Sequence, residues 1–178
     1  MTITYDLSPA AAQLARLVDG VDDGHLGAAT PCAGWPVAVL LDHLLALTAA
    51  FTAAARKDSS LTSRPEPDGS LPADWRSQLH ERLDTLVAAW RAPHAWEGET
   101  EAGGVTMPAG IMGVVALDEL VLQGWDLARA TGQPFQADPA SVQASLGFAA
   151  SIVRGGPGSR PGGPLRSGLG RPVHCFRS

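Results

Sequence analysis

A chain of 178 residues with a hydrophobic fraction of 45% is the size of one domain and holds enough apolar residues for a core, which excludes global disorder. Its net charge of −5 hides a split: residues 1–138 hold 8 basic against 18 acidic residues, a formal charge of −10, whereas residues 139–178 hold five arginines and no acid. A body that negative repels phosphate backbones, so no nucleic-acid partner is expected for the folded part. The best apolar run, Val37 to Phe51, falls short of a membrane span and is broken by Asp42 and His43. The N-terminus lacks the basic and apolar regions of a signal peptide. With only Cys32 and Cys175 present, a disulfide framework is not indicated and a reducing cytoplasm is the expected compartment.

Five prolines organise the chain. Pro9, Pro36, Pro72, Pro108 and Pro139 each precede a stretch with helical apolar spacing, and proline suits the first helical position because its fixed φ is already right and its missing N–H is no loss. The spacing predicts helices at 9–22, 36–56, 72–91, 108–131 and 139–153. Ser8 and Asp138 are good N-caps before their prolines. The first helix presents Leu14, Leu17, Val18 and Val21 on one side. The second carries Leu40, His43, Leu44 and Leu47, which places His43 inside an apolar stripe. The third carries Trp75, Leu79, Leu83, Leu86 and Trp90, with His80 beside the stripe.

The fourth helix has Met112, Val115, Ala116, Glu119 and Leu122 at i, i+3, i+4 spacing, with Gln123 one turn beyond Glu119. Gly132 is placed for the left-handed position that ends it, and Pro134 prevents continuation. The fifth, Ser141 to Val153, is apolar and lightly charged. Gly103-Gly104 between Glu99-Thr100-Glu101 and Val105-Thr106-Met107 suits a small hairpin. Residues 57–71, rich in Ser, Pro, Asp and Gly, form a link long enough for a crossover or non-adjacent connection.

From Gly155 the character changes, since 18 of the last 24 residues are Gly, Pro, Arg or Ser. Two readings stay open for this tail: disorder, or a GC-rich gene translated out of frame. The expected organisation is a helical domain over 1–154 and a separate tail over 155–178.

A carboxylate on a core-facing stripe must find a cation, a donor or a proton. Helical bundles build metal sites from inward His and Glu on facing helices, and an i, i+4 pair supplies two ligands on one face. His43, Glu119 and Gln123 are therefore the candidate metal ligands, although spacing alone does not bring them together. Cys32 reads as a small packed residue rather than a reactive thiol. Trp35 and Trp125 read as anchors at helix ends or at a pocket mouth. Asp126 is either a hydrogen-bond acceptor near the site or the i, i+3 partner of Arg129, the simple pairing being favoured. His25, His80, His94 and His174 have no evident partner. There is no P-loop, dinucleotide fingerprint or Gly-x-Ser-x-Gly elbow.

Two stretches carry a resemblance. Thr30-Pro31-Cys32-Ala33-Gly34-Trp35-Pro36-Val37 followed by Leu41-Asp42-His43-Leu44, and Glu119 to Gln133 with its Gly-Trp-Asp-Leu-Ala-Arg-Ala-Thr-Gly core, resemble the two signatures of the mycothiol-dependent maleylpyruvate isomerase family. The likeness is to its short, stand-alone actinobacterial members within the DinB-like superfamily and covers about residues 5–153. It implies an all-α fold, a DinB-like four-helix bundle here followed by an additional C-terminal helix and a disordered or irregular tail. It also implies a divalent metal, usually zinc, held by a His on the second helix and a Glu-x-x-x-His pair on a later one.

His43 and Glu119 match that pattern, whereas Gln123 stands where the family usually has the second His. An amide oxygen is a weak neutral ligand for zinc. The family's chemistry uses a small thiol, mycothiol, activated as thiolate by the metal. The resemblance therefore implies a metal- and thiol-dependent isomerase or transferase acting on a small molecule. The competing reading is a non-catalytic bundle with a degenerate metal site that binds a small molecule or a second copy of itself. Neither reading involves a membrane or nucleic acid.

Overall fold

The computed structural model describes residues 4–60 and 66–153; the 155–178 tail, and with it the division of the chain after residue 154, lies outside them. Helix starts follow the prolines. Pro9 occupies the first turn of α1 (Ser8–Asp19), Pro36 immediately precedes α2 (Val37–Arg56), Pro108 precedes α4 (Ala109–Thr131) and Pro139 opens α5 (Pro139–Val153). Pro72 sits slightly ahead of α3 (Trp75–Trp90), and its carbonyl accepts from the Trp75 N–H at 3.0 Å.

The caps differ in one place from expectation. Ser8 lies inside α1, and Asp6 does the capping, accepting from the Ser8 N–H at 2.9 Å and from its hydroxyl. Those bonds hold the Asp6 carboxyl below its usual range. Asp138 caps α5 as expected, accepting from the Ser141 N–H at 2.9 Å. Gly132 ends α4 at φ 68°, a conformation that costs glycine nothing.

Four helices form a bundle in the ring order α1, α3, α2, α4, and α5 packs on α4. Directions follow from contacts between side chains and carbonyls. Arg82 donates to the Leu45 carbonyl and Trp90 Nε1 to that of Phe51 at 3.1 Å, so α3 runs parallel to α2. A parallel neighbour requires the chain to return the full length of a 20-residue helix, about 30 Å, which explains the long 57–74 connection. The expected crossover is therefore real, although the two helices it joins are adjacent. Asp42 anchors this link to α2, its carboxylate accepting from the Asp68 and Gly69 N–H groups at 3.2 and 3.4 Å.

The two glycines at 103 and 104, both at positive φ, close the hairpin of β1 (Glu99–Ala102) and β2 (Val105–Pro108), paired antiparallel. Thr100 donates to the Ala54 carbonyl at 2.6 Å and so docks the hairpin on the C-terminal end of α2. Beside it Trp96 donates to the Trp90 carbonyl at 2.7 Å, and the two indoles meet edge-on at 5.0 Å. Apart from this two-stranded ribbon, the described residues are helix and loop, and the fold is all-α.

α2 is the central helix. At 20 residues and a mean hydropathy of 1.8 it is long and apolar enough to cross a membrane, a point that the run Val37 to Phe51 understated, yet 72% of that window is buried inside the bundle. Apolarity on every side is what a helix needs when neighbours cover all of its faces.

Candidate functional site

The segment before α2 places the first site element. Thr30 Oγ1 donates to the Trp35 carbonyl at 2.7 Å, the Thr30 N–H donates to the same carbonyl at 3.2 Å, and the Val37 N–H returns to Ala28. Gly34 at φ 80° allows the chain to reverse. The product is a tight turn that sets the Trp35 ring edge-on to the His43 imidazole, with centroids 4.9 Å apart. Cys32 is buried in this turn as expected. It is disulfide-bonded, where the sequence indicated no disulfide framework.

α4 supplies the second element. Its buried side keeps Met112 and Ala116 of the stripe that spacing suggested and continues through Leu117, Leu120, Val121, Gly124, Leu127 and Ala128, while Val115, Glu119 and Leu122 are only half-buried. The helix is apolar almost all round, so periodicity left its phase open, and packing against α1 and α2 chose it. Glu119 consequently lies at the border of the core, with 22% of its side chain exposed, while the His43 side chain is 8% exposed.

The three candidate ligands meet. His43 Nε2 stands 4.0 Å from Glu119 Oε2, and Gln123 Nε2 donates to that same oxygen at 3.1 Å. Gln123 Oε1 is buried with no hydrogen-bond partner, the only such side-chain atom among the described residues. Burial depresses the His43 pKa to about 4, against a smaller opposing pull from Asp42, and the ring is neutral at pH 7. Burial also raises Glu119, to about 7; the Gln123 hydrogen bond opposes the rise, and the charges of Asp118 and Asp126 add to it.

Asp126 corrects another expectation. It is buried and Arg129 is exposed, and no ion pair joins them among the described residues. Loss of solvent pushes the Asp126 carboxyl up to about 6. Its i+7 offset from Glu119, on the same face, was the available signal. Asp118 was missed outright. It is buried, hydrogen-bonded by the Ser145 hydroxyl of α5, and raised chiefly by burial. Trp125 is 38% exposed. Of the histidines without an assigned partner, His80 pairs with Asp19 at 2.8 Å and His25 with Asp22 at 3.1 Å. His94 is exposed, and His174 lies outside the described residues.

A family model described as the mycothiol maleylpyruvate isomerase N-terminal domain matches residues 7–128, from the start of α1 to the last turn of the site helix. The chain belongs to this family. Among solved structures, a crystal structure of the mycothiol-dependent maleylpyruvate isomerase aligns with a TM-score of 0.63 at 20% identity, covering 83% of this chain and 68% of that one. A histidine-to-alanine mutant of that isomerase aligns with the same values. At that identity the likeness establishes a shared fold. Among curated proteins, none matches this chain.

The maleylpyruvate isomerase family match covers α1 to α4 and stops short of α5, so the Asp118–Ser145 tie lies partly outside it. Among the described residues no cluster of three or more His, Cys, Asp or Glu side chains is grouped for a cation. The constellation has two such side chains and an amide. Its chemistry is nonetheless compatible with a cation: an imidazole and a carboxylate stand 4.0 Å apart, the adjoining amide keeps a buried oxygen without a donor, and positive charge stabilises such an acceptor.

Proposed function

We propose that the chain is a maleylpyruvate isomerase-like protein that holds a divalent cation through His43, Glu119 and Gln123 and uses it to present a small thiol, mycothiol, to an electrophilic small molecule. The observation that carries this reading is the approach of His43 Nε2 to Glu119 Oε2, with the Gln123 amide bonded to that same oxygen and its own buried oxygen left without a partner. A bound cation would supply the charge that turns a thiol into a thiolate, the nucleophile of an isomerisation or a thiol transfer.

The chain's own residues do the rest. Burial keeps the His43 lone pair free by excluding its proton. The Trp35 ring, set edge-on to the imidazole, restricts how it turns. Gln123 fixes the Glu119 carboxylate through its N–H while its own buried oxygen has no partner. Asp126, with a pKa near 6, is a base of suitable strength to take the thiol proton near neutral pH.

A second reading has its own observation. The Gln123 N–H already satisfies Glu119 without a cation, as expected of a bundle that keeps the fold and binds a small molecule or a second copy of itself without catalysis. Metal content of the purified protein separates the two. A near-stoichiometric divalent cation that is lost in His43→Ala supports the first, and a metal-free protein that takes up none from solution supports the second.

A further inference from the structure

The donor atoms differ in kind, and that difference bears on which cation the site takes. This step rests on the cation-binding reading above. The neutral His43 imidazole is the one group in the constellation able to offer a nitrogen lone pair, because the Gln123 nitrogen is a donor already directed at Glu119. The remaining protein acceptors are oxygens: the Glu119 carboxylate, the buried and unpartnered Gln123 Oε1, and, on the same face of α4, the Asp126 carboxylate.

Carboxylate, amide carbonyl and water suit Mg, Ca and Mn, whereas imidazole and thiolate suit Zn, Cu and Ni. Zinc sites draw on nitrogen and sulfur in fours, or on three protein ligands rich in imidazole. One nitrogen among oxygens departs from that pattern.

We infer that the His43, Glu119 and Gln123 site is tuned toward an oxygen-seeking divalent cation of the Mn²⁺ type, and that the side chain at position 123 sets this preference. The preference is a ratio. The intrinsic order of affinities places zinc above manganese at almost any site, so the amide acts by narrowing the gap rather than by inverting it. A second imidazole at 123 would widen it, since imidazole gains far more with zinc than with manganese.

The test uses the full chain, stripped with chelator, and titrates Zn²⁺ and Mn²⁺ separately by calorimetry. Loss of the free Mn²⁺ paramagnetic resonance signal serves as a second readout. Wild type, Gln123→His and Gln123→Leu are compared, with thermal melts in chelator to confirm that each variant is folded. The Zn²⁺/Mn²⁺ affinity ratio should rise at least ~10-fold in Gln123→His, the lower end of what ligand-shell changes do. Gln123→Leu, which removes the oxygen, should weaken Mn²⁺ binding by a similar ~10-fold. If Gln123→His does not fold, the Gln123→Leu result decides alone. Binding of both ions with the same ratio in wild type and Gln123→His, or Mn²⁺ affinity untouched in Gln123→Leu, overturns this inference and leaves the cation site standing. No binding of either ion by any of the three proteins overturns the cation site itself, and the preference with it.

Discussion

Gln123 Nε2 lies 3.1 Å from Glu119 Oε2, one turn away on α4, and the same oxygen faces His43 Nε2 from α2 at 4.0 Å. One amide thus occupies the carboxylate while its own oxygen stays unsatisfied. A cation that binds the native state alone stabilises it by RT ln(1 + [L]/Kd), about 2.7 kcal/mol at 100 times Kd. A melting curve of the wild type should therefore shift upward as a divalent cation is added, more so in Gln123→His. His43→Ala in the Gln123→His background should abolish the shift, because the two ligands left on one helix hold the ion poorly. An undiminished shift in that double variant would place the cation elsewhere.

The cation-free protein should carry a pH signature of Glu119. Its carboxyl titrates at about 7 in the fold against an ordinary 4.5, so between those values the native state binds the extra proton. The stability it contributes is full below pH 4.5 and lost as pH rises through 7. Glu119→Gln has no such proton, and its advantage over wild type should grow across that window to at most about 3 kcal/mol by pH 8. His43, depressed from 6.5 to about 4, acts in the opposite sense. Its contribution is full above pH 6.5 and lost as pH falls through 4, so a comparison at pH 7 and pH 8, where the ring is neutral, isolates Glu119. Urea unfolding at pH 5, pH 7 and pH 8 in chelator measures this, and a pH-independent difference would show that Glu119 is not held out of water.

Ser145→Ala should loosen α5. The Ser145 hydroxyl is the hydrogen-bond donor to the buried Asp118 carboxylate, and a buried acceptor left without its donor costs about 1–3 kcal/mol. Hydrogen exchange in residues 141–150 should accelerate, with α2 and α3 unaffected. Uniform protection would mean that apolar contacts alone hold the helix.

Gly113→Ala should be among the more damaging small substitutions. A Cβ there would lie 2.4 Å from the Trp96 ring and 2.8 Å from that of Trp90, and each indole is fixed by a hydrogen bond from its Nε1. Overpacking of this kind costs about 1–3 kcal/mol, despite alanine's better helix propensity. Denaturant unfolding measures it, and an alanine variant as stable as wild type would show that the indoles move freely.

Local chemistry was legible in the chain itself. A proline's fixed φ, a carboxylate able to reach an N–H, and a glycine free to take positive φ act within a few residues, so the helix starts, the Gly103–Gly104 hairpin and the Gly132 stop could be read directly. The triad of candidate ligands could be named because His43 lies in an apolar stripe and Glu119 and Gln123 share a helical face. Their meeting could not. α2 and α4 are apolar on nearly every side, so periodicity does not fix their rotation, and only the packing of α4 against α1 and α2 turned Glu119 to the core's border. Asp126 was assigned to Arg129 because sequence spacing cannot tell a surface pair from a carboxylate turned inward. Asp118 escaped notice because its partner, Ser145, lies on another helix. Tertiary packing decided all three, because burial and distance between helices depend on how apolar faces share one core.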